Sequence, residues 1–412
     1  MNTNQHTAPD RESAWEYGIV ITKGPDFPGD LVIQPEVNGV RVVGIGDKAF
    51  YSNDKNTSVT IPDSVEYIGC ETFCGCSCLR SVTIGNGVKY IGEGAFWESV
   101  KLANLTLGNS VKHIAKKAFC ECYGLTSITI PNSVVSIDEE AFCKCLGLTN
   151  LVIPNNIENI GDGAFRGCSR LTSVTFPKWI TSIVDSMFRG CKSLRTMILP
   201  DRVTRIGESA FQECSGLVDI TLPNKLESIS DSAFCDCTSL TSIFIPDSVK
   251  YIGKSAFKGC VNLKEVVLSD NITCIDEFAF QGCTSLTEIT IPNRVASIGK
   301  SAFQGCIGLK SITIPGGGKR IGESAFRGCR ELMNVTIGEG VERIDSYAFY
   351  ECRGLESATL PNSITHIGRD AFDSCSGLTN MTMPRRLKPY MRYLPFFLHV
   401  TYTDGDGENG NQ

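Results

Sequence analysis

The stretch L-T-S-I-T-I-P-N-S-V-V-S-I-D-E-E-A-F-C-K-C-L-G, Leu125–Gly147, contains the strand, turn, Ala-Phe and Cys features that the rest of the chain repeats. Ser127, Ile128, Thr129 and Ile130 alternate polar and apolar residues, which predicts a half-buried strand. Pro131 ends it, because proline cannot donate to a strand ladder. Asn132-Ser133 is turn chemistry. Val134 and Ile137 then predict a second short extended piece pointing inward. Many units place Gly directly after this Ile, which suits a tight corner with positive φ. Ala141-Phe142 is expected in a short helical or 3₁₀ turn that returns the chain to the next Leu.

Working outward, Phe142 is one of fifteen Phe spaced by 23 residues, from Phe50 to Phe372, without insertion or deletion. Ile stands five residues before each of them, from Ile45 to Ile367. Ala precedes the Phe except at Thr72 and Met187, and Cys follows three residues later except at Asn53 and Ser99. A fixed period of this size marks a solenoid, whose coils stack because one alone cannot bury its apolar side. The expected fold is an α/β solenoid of about fifteen coils. It combines a parallel β-sheet, short second extended segments and short helical or 3₁₀ turns, with a cap at each end. The boundaries divide as residues 1–16, a disordered tail; 17–50, a capping hairpin and atypical first coil that turns through Asn38-Gly39; 51–383, the array; 384–403, a cap with a strand in Tyr393–Tyr402; and 404–412, a solvated tail.

Composition narrows the function. Apolar residues are 42% and charged residues 20% of the chain, the balance of an ordered protein. Net charge is −6 with both signs interspersed, so no basic stripe offers itself to a phosphate backbone, and nucleic acid is excluded as the expected partner. The longest apolar run, near Tyr393–Val400, is too short to cross a bilayer. The amino terminus has no charged n-region or apolar h-region of a secretory signal.

Thirteen of the twenty Cys, from Cys76 to Cys375, share one column beside the Phe and are read as buried structural thiols. Cys74, Cys120, Cys143 and Cys235 share the variable column just after Phe, which is expected to be exposed. Cys120 and Cys143, one coil apart, could form a disulfide. The cluster Cys70, Cys74, Cys76, Cys78 tempts a zinc reading, but alternate residues of one turn cannot all converge on a point, so no metal is expected. His113 and His366 occupy one repeat position eleven coils apart, and no nucleophile or glycine-rich phosphate loop accompanies them. Neither catalysis nor a cofactor is expected.

The I-P strand end, the I-G-x-x-A-F turn and the inward Cys together resemble the BspA-like (treponemal-type) leucine-rich repeat family over about Leu31–Met383. The resemblance implies a leucine-rich repeat solenoid, display at the cell surface or secretion, and adhesion to a host or matrix protein. The missing signal and the free thiols favour the alternative, a cytoplasmic interaction scaffold. A monomer is expected.

Binding would reside in positions the fold leaves free. On the open sheet face each strand shows two side chains, aligned with Ser127 and Thr129. The Thr is replaced by Val152, Ile198, Phe244 and Val267, and the Ser by Asp219, Glu265 and Glu288. Apolar groups rimmed by charge suggest a protein contact, although Val152 alone reads as a good strand residue. Trp179, with Lys178 and Arg202 flanking and Lys225 one coil on, is a second candidate. The alternative there is a ring folded down over a neighbouring turn.

Overall fold

The computed structural model describes residues 18–24, 28–394 and 398–403; the expected tails at 1–16 and 404–412 lie outside them. Two compact units divide the described chain. One runs to Ile180 and includes Val184–Leu194; the other takes Thr181–Ile183 and Arg195 onward.

In the first unit, Gly29–Val32, Asn56–Ile61, Ser81–Ile84 and Asn104–Thr106 pair in parallel, each with the strand one coil on. A second ladder joins Tyr67–Ile68, Tyr90–Ile91, His113–Ile114, Ser136–Ile137 and Asn159–Ile160. The second unit repeats both. Its outer strands include Thr196–Ile198 with Asp219–Thr221 and Ser242–Phe244 with Glu265–Val267. Its two-residue strands run from Ser182–Ile183 to His366–Ile367 in two sheets. The leucine-rich repeat solenoid with parallel sheets is therefore what each unit forms.

Ser127–Ile130, from which the strand was read, is itself outside the strands, and so is Glu288–Ile291. The inside–outside alternation persists there, with Ile130 buried, but the backbone ladder does not close.

The expected helical turns are also absent from the described coils. Around each Phe the chain forms consecutive β-turns instead. Their physical basis is a third set of bonds between coils. Lys117, Phe119 and Glu121 donate their N–H groups to the carbonyls of Glu139, Ala141 and Cys143 at 3.0, 2.8 and 2.8 Å. Aiming alternate amides at the next coil requires left-handed residues on both sides of the Phe, here Lys117 (φ 56°) and Glu121 (φ 61°). A helix would direct those amides back into its own turn. The fold class narrows accordingly from α/β to almost wholly β, and Arg385–Tyr393 is the one helix among the described residues.

The glycine after the repeated Ile has a different reason from the one expected. Gly69 and Gly92 do not adopt positive φ. A Cβ on Gly92 would lie 2.5 Å from the carbonyl carbon of Gly69, and one on Gly69 would lie 2.6 Å from the amide of Asp47. At these glycines adjacent coils approach too closely for a side chain, whereas coils such as those of Asp138, Val184 and Asp276 carry one in the same column.

At the amino end, no hairpin joins the first two described strands. Ile19–Ile21 pairs in parallel with Val40–Ile45, and Gly29–Val32 with Asn56–Ile61, so this segment adds to both ladders as a coil does. The hairpin is smaller, Glu36–Val37 against Val40–Arg41, around Asn38 and Gly39, both at positive φ. At the other end His399–Tyr402 pairs in parallel with Asn380–Met383. Residues 395–397 of the expected capping segment lie outside the described residues.

The core is like stacked on like. In the second unit the Phe211 to Phe372 rings follow one another at centroid distances of 5.1–5.4 Å and within 11° of parallel. In the first unit the Phe50–Phe73 spacing is 4.9 Å and Phe165–Phe188 opens to 6.2 Å. The Cys column is buried beside these rings, as read, and it has a polar task as well. The thiol of Cys145 donates to the carbonyl of Phe119 at 3.2 Å, and that of Cys260 to Phe234 at 3.2 Å, in each case one coil back. Where Cys is missing, Ser99 donates to Phe73 at 2.8 Å. Burial pushes these thiols up, Cys76 and Cys306 to about 12 from a usual 9.0.

Two outcomes are expected. Phe234→Ala should cost about 3–5 kcal/mol in a denaturant titration, because its neighbours are fixed by the ladders and cannot close the cavity. Cys260→Ser should stay nearer to wild type than Cys260→Ala by about 1 kcal/mol, since only Ser can still donate to Phe234.

The column also predicts a pH dependence. A thiol that ionises at higher pH when folded keeps its proton longer in the folded chain. Its stabilising contribution is whole below the ordinary thiol range and is lost as pH climbs from about 9 toward about 12. Denaturant midpoints should fall between neutral pH and about pH 10, and midpoints flat over that interval would contradict the assignment.

Candidate functional site

The strand face of the second unit brings most of the sequence candidates together. Parallel pairing sets Thr196 beside Asp219 and Ile198 beside Thr221. Two coils on, it sets Ser242 beside Glu265 and Phe244 beside Val267. The Thr241 amide donates to Val218, which joins the two pairs of coils. Ile198, Thr221, Phe244 and Val267 thus form one row across four coils, with Thr196, Asp219, Ser242 and Glu265 beside it. Glu288 continues the second row in a segment outside the strands.

The row owes its exposure to strand geometry. Met197, Ile243 and Val266 are buried, so the residues that follow them on their strands must face outward. Ile198 is 76% exposed, Phe244 61% and Val267 42%. This leaves Phe244 and Val267 as adjacent apolar groups in water, with Ile198 beyond the intervening Thr221. The carboxylates beside them are equally uncommitted. Asp219, Glu265 and Glu288 form no ion pair among the described residues. Elsewhere in this unit carboxylates pair across coils, as Glu277 does with Lys254 at 3.2 Å and Glu342 with Lys319 at 2.8 Å.

Trp179 belongs to the first unit. Its indole Nε1–H donates to the carbonyl of Asn155 in the preceding turn at 2.8 Å, and the ring is half-buried. Arg202 is exposed in the second unit. Val152, exposed in the first unit, pairs beside Thr175.

The column just after Phe is not the exposed one expected for its cysteines. Cys74, Cys120, Cys143 and Cys235 are all buried. Tyr51 and Lys258 in the same column reach solvent on long side chains, whereas a short thiol stays at the base beneath its neighbours. Cys120 and Cys143 are free thiols, and the neighbouring Cys143 thiol together with burial pushes Cys120 up. In the Cys70–Cys78 cluster, Cys76 points inward and donates to Phe50 at 3.3 Å, while Cys70 and Cys78 are half-buried. No group of three or more His, Cys, Asp or Glu converges for a metal among the described residues.

One feature escaped the sequence reading. A groove of about 560 Å³ crosses three coils of the first unit, between the Thr60, Thr83 and Thr106 row and the Asp63, Asn86 and Asn109 row. Its signal was present in the sequence: Gly85 and Gly108 stand in the column where Pro62 and Pro131 end other strands.

The chain belongs to the BspA type leucine-rich repeat family, whose description matches residues 43–171, 135–264, 208–319 and 297–394. Among solved structures it is similar to a leucine-rich repeat protein from Bacteroides ovatus, with 28% identity and a TM-score of 0.70, covering 91% of this chain and 92% of that one. It is also similar to a leucine-rich cell surface protein from Faecalibacterium prausnitzii, with 32% identity and a TM-score of 0.53, covering 78% of this chain and 91% of that one. No curated protein matches it. No helix among the described residues is long and apolar enough to cross a membrane.

Proposed function

We propose that this chain is a non-enzymatic binding protein that takes a protein partner on the strand face of its second unit, in the service of adhesion to a host or matrix component. The observation that carries the reading is the row Ile198, Phe244, Val267, apolar where the repeat otherwise has Thr, flanked by the unpaired carboxylates Asp219, Glu265 and Glu288. Desolvating these apolar groups is favourable at about 25 cal/mol per Å² of apolar surface removed from water. The free carboxylates would select against acidic partners. Trp179 and Arg202 are proposed as outlying contacts, each within its own unit, and the chain as a monomer. A cell-surface setting is supported by the description of the F. prausnitzii protein.

A second reading, an interaction scaffold inside the cell, is favoured by one observation: all twenty cysteines are thiols, which a reducing compartment maintains most easily. Protease treatment of intact cells separates the two. Loss of the protein supports surface adhesion, and its survival supports the scaffold.

Phe244→Ala with Val267→Ser is expected to weaken capture of a partner from host-matrix extracts by about tenfold or more, about 1.4 kcal/mol, with the thermal midpoint nearly unchanged. Equal capture by the double variant would remove this patch from the function.

A further inference from the structure

The groove of the first unit lies on different coils from the apolar row and has the opposite chemistry. Its upper wall is a row of exposed threonines, Thr60, Thr83 and Thr106, held in register by the pairing of adjacent strands. Its lower wall is Asp63, Asn86 and Asn109. The first two of these side chains are fixed rather than loose. Asp63 Oδ1 accepts the amide of Asn86 at 2.6 Å, and Asn86 Oδ1 accepts the amide of Asn109 at 3.0 Å. The floor is the strand ends Ile61, Ile84 and Leu107 with Pro62, Gly85 and Gly108. At the two glycines the main chain sinks against the coil before it. A Cβ on Gly85 would lie 2.6 Å from the carbonyl carbon of Pro62, and one on Gly108 would overlap the carbonyl of Gly85. No side chain therefore fills the space between the walls at these two coils.

The groove repeats itself. Each coil contributes one hydroxyl on one side and one carboxamide or carboxylate on the other, at the strand spacing of roughly 4.8 Å. Thr and Asn both donate and accept, and the single charge is Asp63. Three ligand classes can be compared against this pattern. A nucleic acid would need cations, and the lining has none but does have a carboxylate. A peptide lying along the groove would run across the strands. The N–H and C=O groups between these strands are spent in their mutual ladder, and a chain crossing them could not add as a strand. A chain of sugar rings offers what the groove asks for: hydroxyls on both edges, no charge, and a regular repeat. The structural role of the Asp63–Asn86–Asn109 bonds, which tie adjacent turns together, accounts for the lower wall alone. The hydroxyl row opposite is the Thr that the repeat ordinarily carries on this face, and neither wall accounts for the space between them, which Gly85 and Gly108 open.

We propose that this groove binds a neutral, linear carbohydrate, with about one ring per coil. The walls are preorganised by backbone bonds, so little ordering cost falls on binding. The site stands apart from the protein-binding proposal, and either can fail alone.

The test is calorimetric titration of the full chain with linear β-1,4-linked gluco-, xylo-, manno- and N-acetylglucosamine oligosaccharides, from disaccharide to hexasaccharide. At least one series should bind, gaining affinity from disaccharide to about the trisaccharide and then levelling. Thr83→Val with Thr106→Val keeps shape and strand preference while removing two hydroxyls, and should weaken binding by about tenfold or more. Asn109→Ala should weaken it as well. Phe244→Ala with Val267→Ser should leave it unchanged, and circular dichroism should be the same for all. Silence from every series at millimolar sugar would overturn the proposal. So would affinity indifferent to the Thr and Asn substitutions, or a peptide library that binds in the groove where sugars do not.

Discussion

Every coil depends on hydrogen bonds that only its neighbour can complete. Strand amides, two-residue ladder amides and the alternate amides around each Phe all reach to a carbonyl one coil away. A buried amide left without that partner would cost about 1–3 kcal/mol. One residue inserted in a coil would displace several at once. This is the physical reason that the period holds at 23 without exception from Phe50 to Phe372. It also explains why side chains stack on their own kind. Once the backbones are in register, Phe must meet Phe and Ile must meet Ile.

The same register constrains the polar interior. The Phe carbonyl already accepts an amide from its own turn, as Phe119 does from Cys122 at 3.3 Å, and the thiol supplies a second donor from the next coil. A purely apolar residue in that column would leave a lone pair facing the core. Ser99 shows that the column selects for a small donor and not for sulfur chemistry. The repeated thiols are thus explained by packing and hydrogen bonding, without any redox or metal role. Cross-coil ion pairs such as Lys116–Glu139 and Lys300–Glu323, both 3.1 Å or shorter, belong to a weaker class. They are largely exposed and contribute at most about 1 kcal/mol each.

The parts of this structure legible in the sequence were those fixed by repetition. Ile45, Phe50 and their successors announce the coil and its buried face because fifteen copies average out local noise. The backbone's handling of the turns was not legible. Lys117 and Glu121 carry no mark of left-handed conformation, and Ala-Phe between polar residues reads as readily as a helical turn. The glycine after Ile is visible in the sequence but its reason at Gly69 and Gly92 is not, because closeness to another coil cannot be read from a local window. Burial of Cys120 and Cys143 was hidden for a similar reason: it depends on the length of side chains one coil away. The exposed row was legible as departures from a consensus. The groove was marked only by an absence, the missing ring at Gly85 and Gly108.

These two surfaces differ in how each departs from the repeat. At Ile198, Phe244 and Val267 a side chain is added outward, and the fold is indifferent because Met197, Ile243 and Val266 remain turned inward. At Gly85 and Gly108 a ring is removed and the backbone lies close against the coil before it, which only glycine permits. The first kind of change can drift freely along an array, since stability there is a sum of nearest-neighbour terms. The second is bound to its coils, because restoring a side chain would push two backbones apart. A residue added outward leaves adjacent coils where they are, whereas a close backbone approach is shared between two coils, and this asymmetry makes the polar groove, although less conspicuous than the apolar row, the more tightly built of the two surfaces.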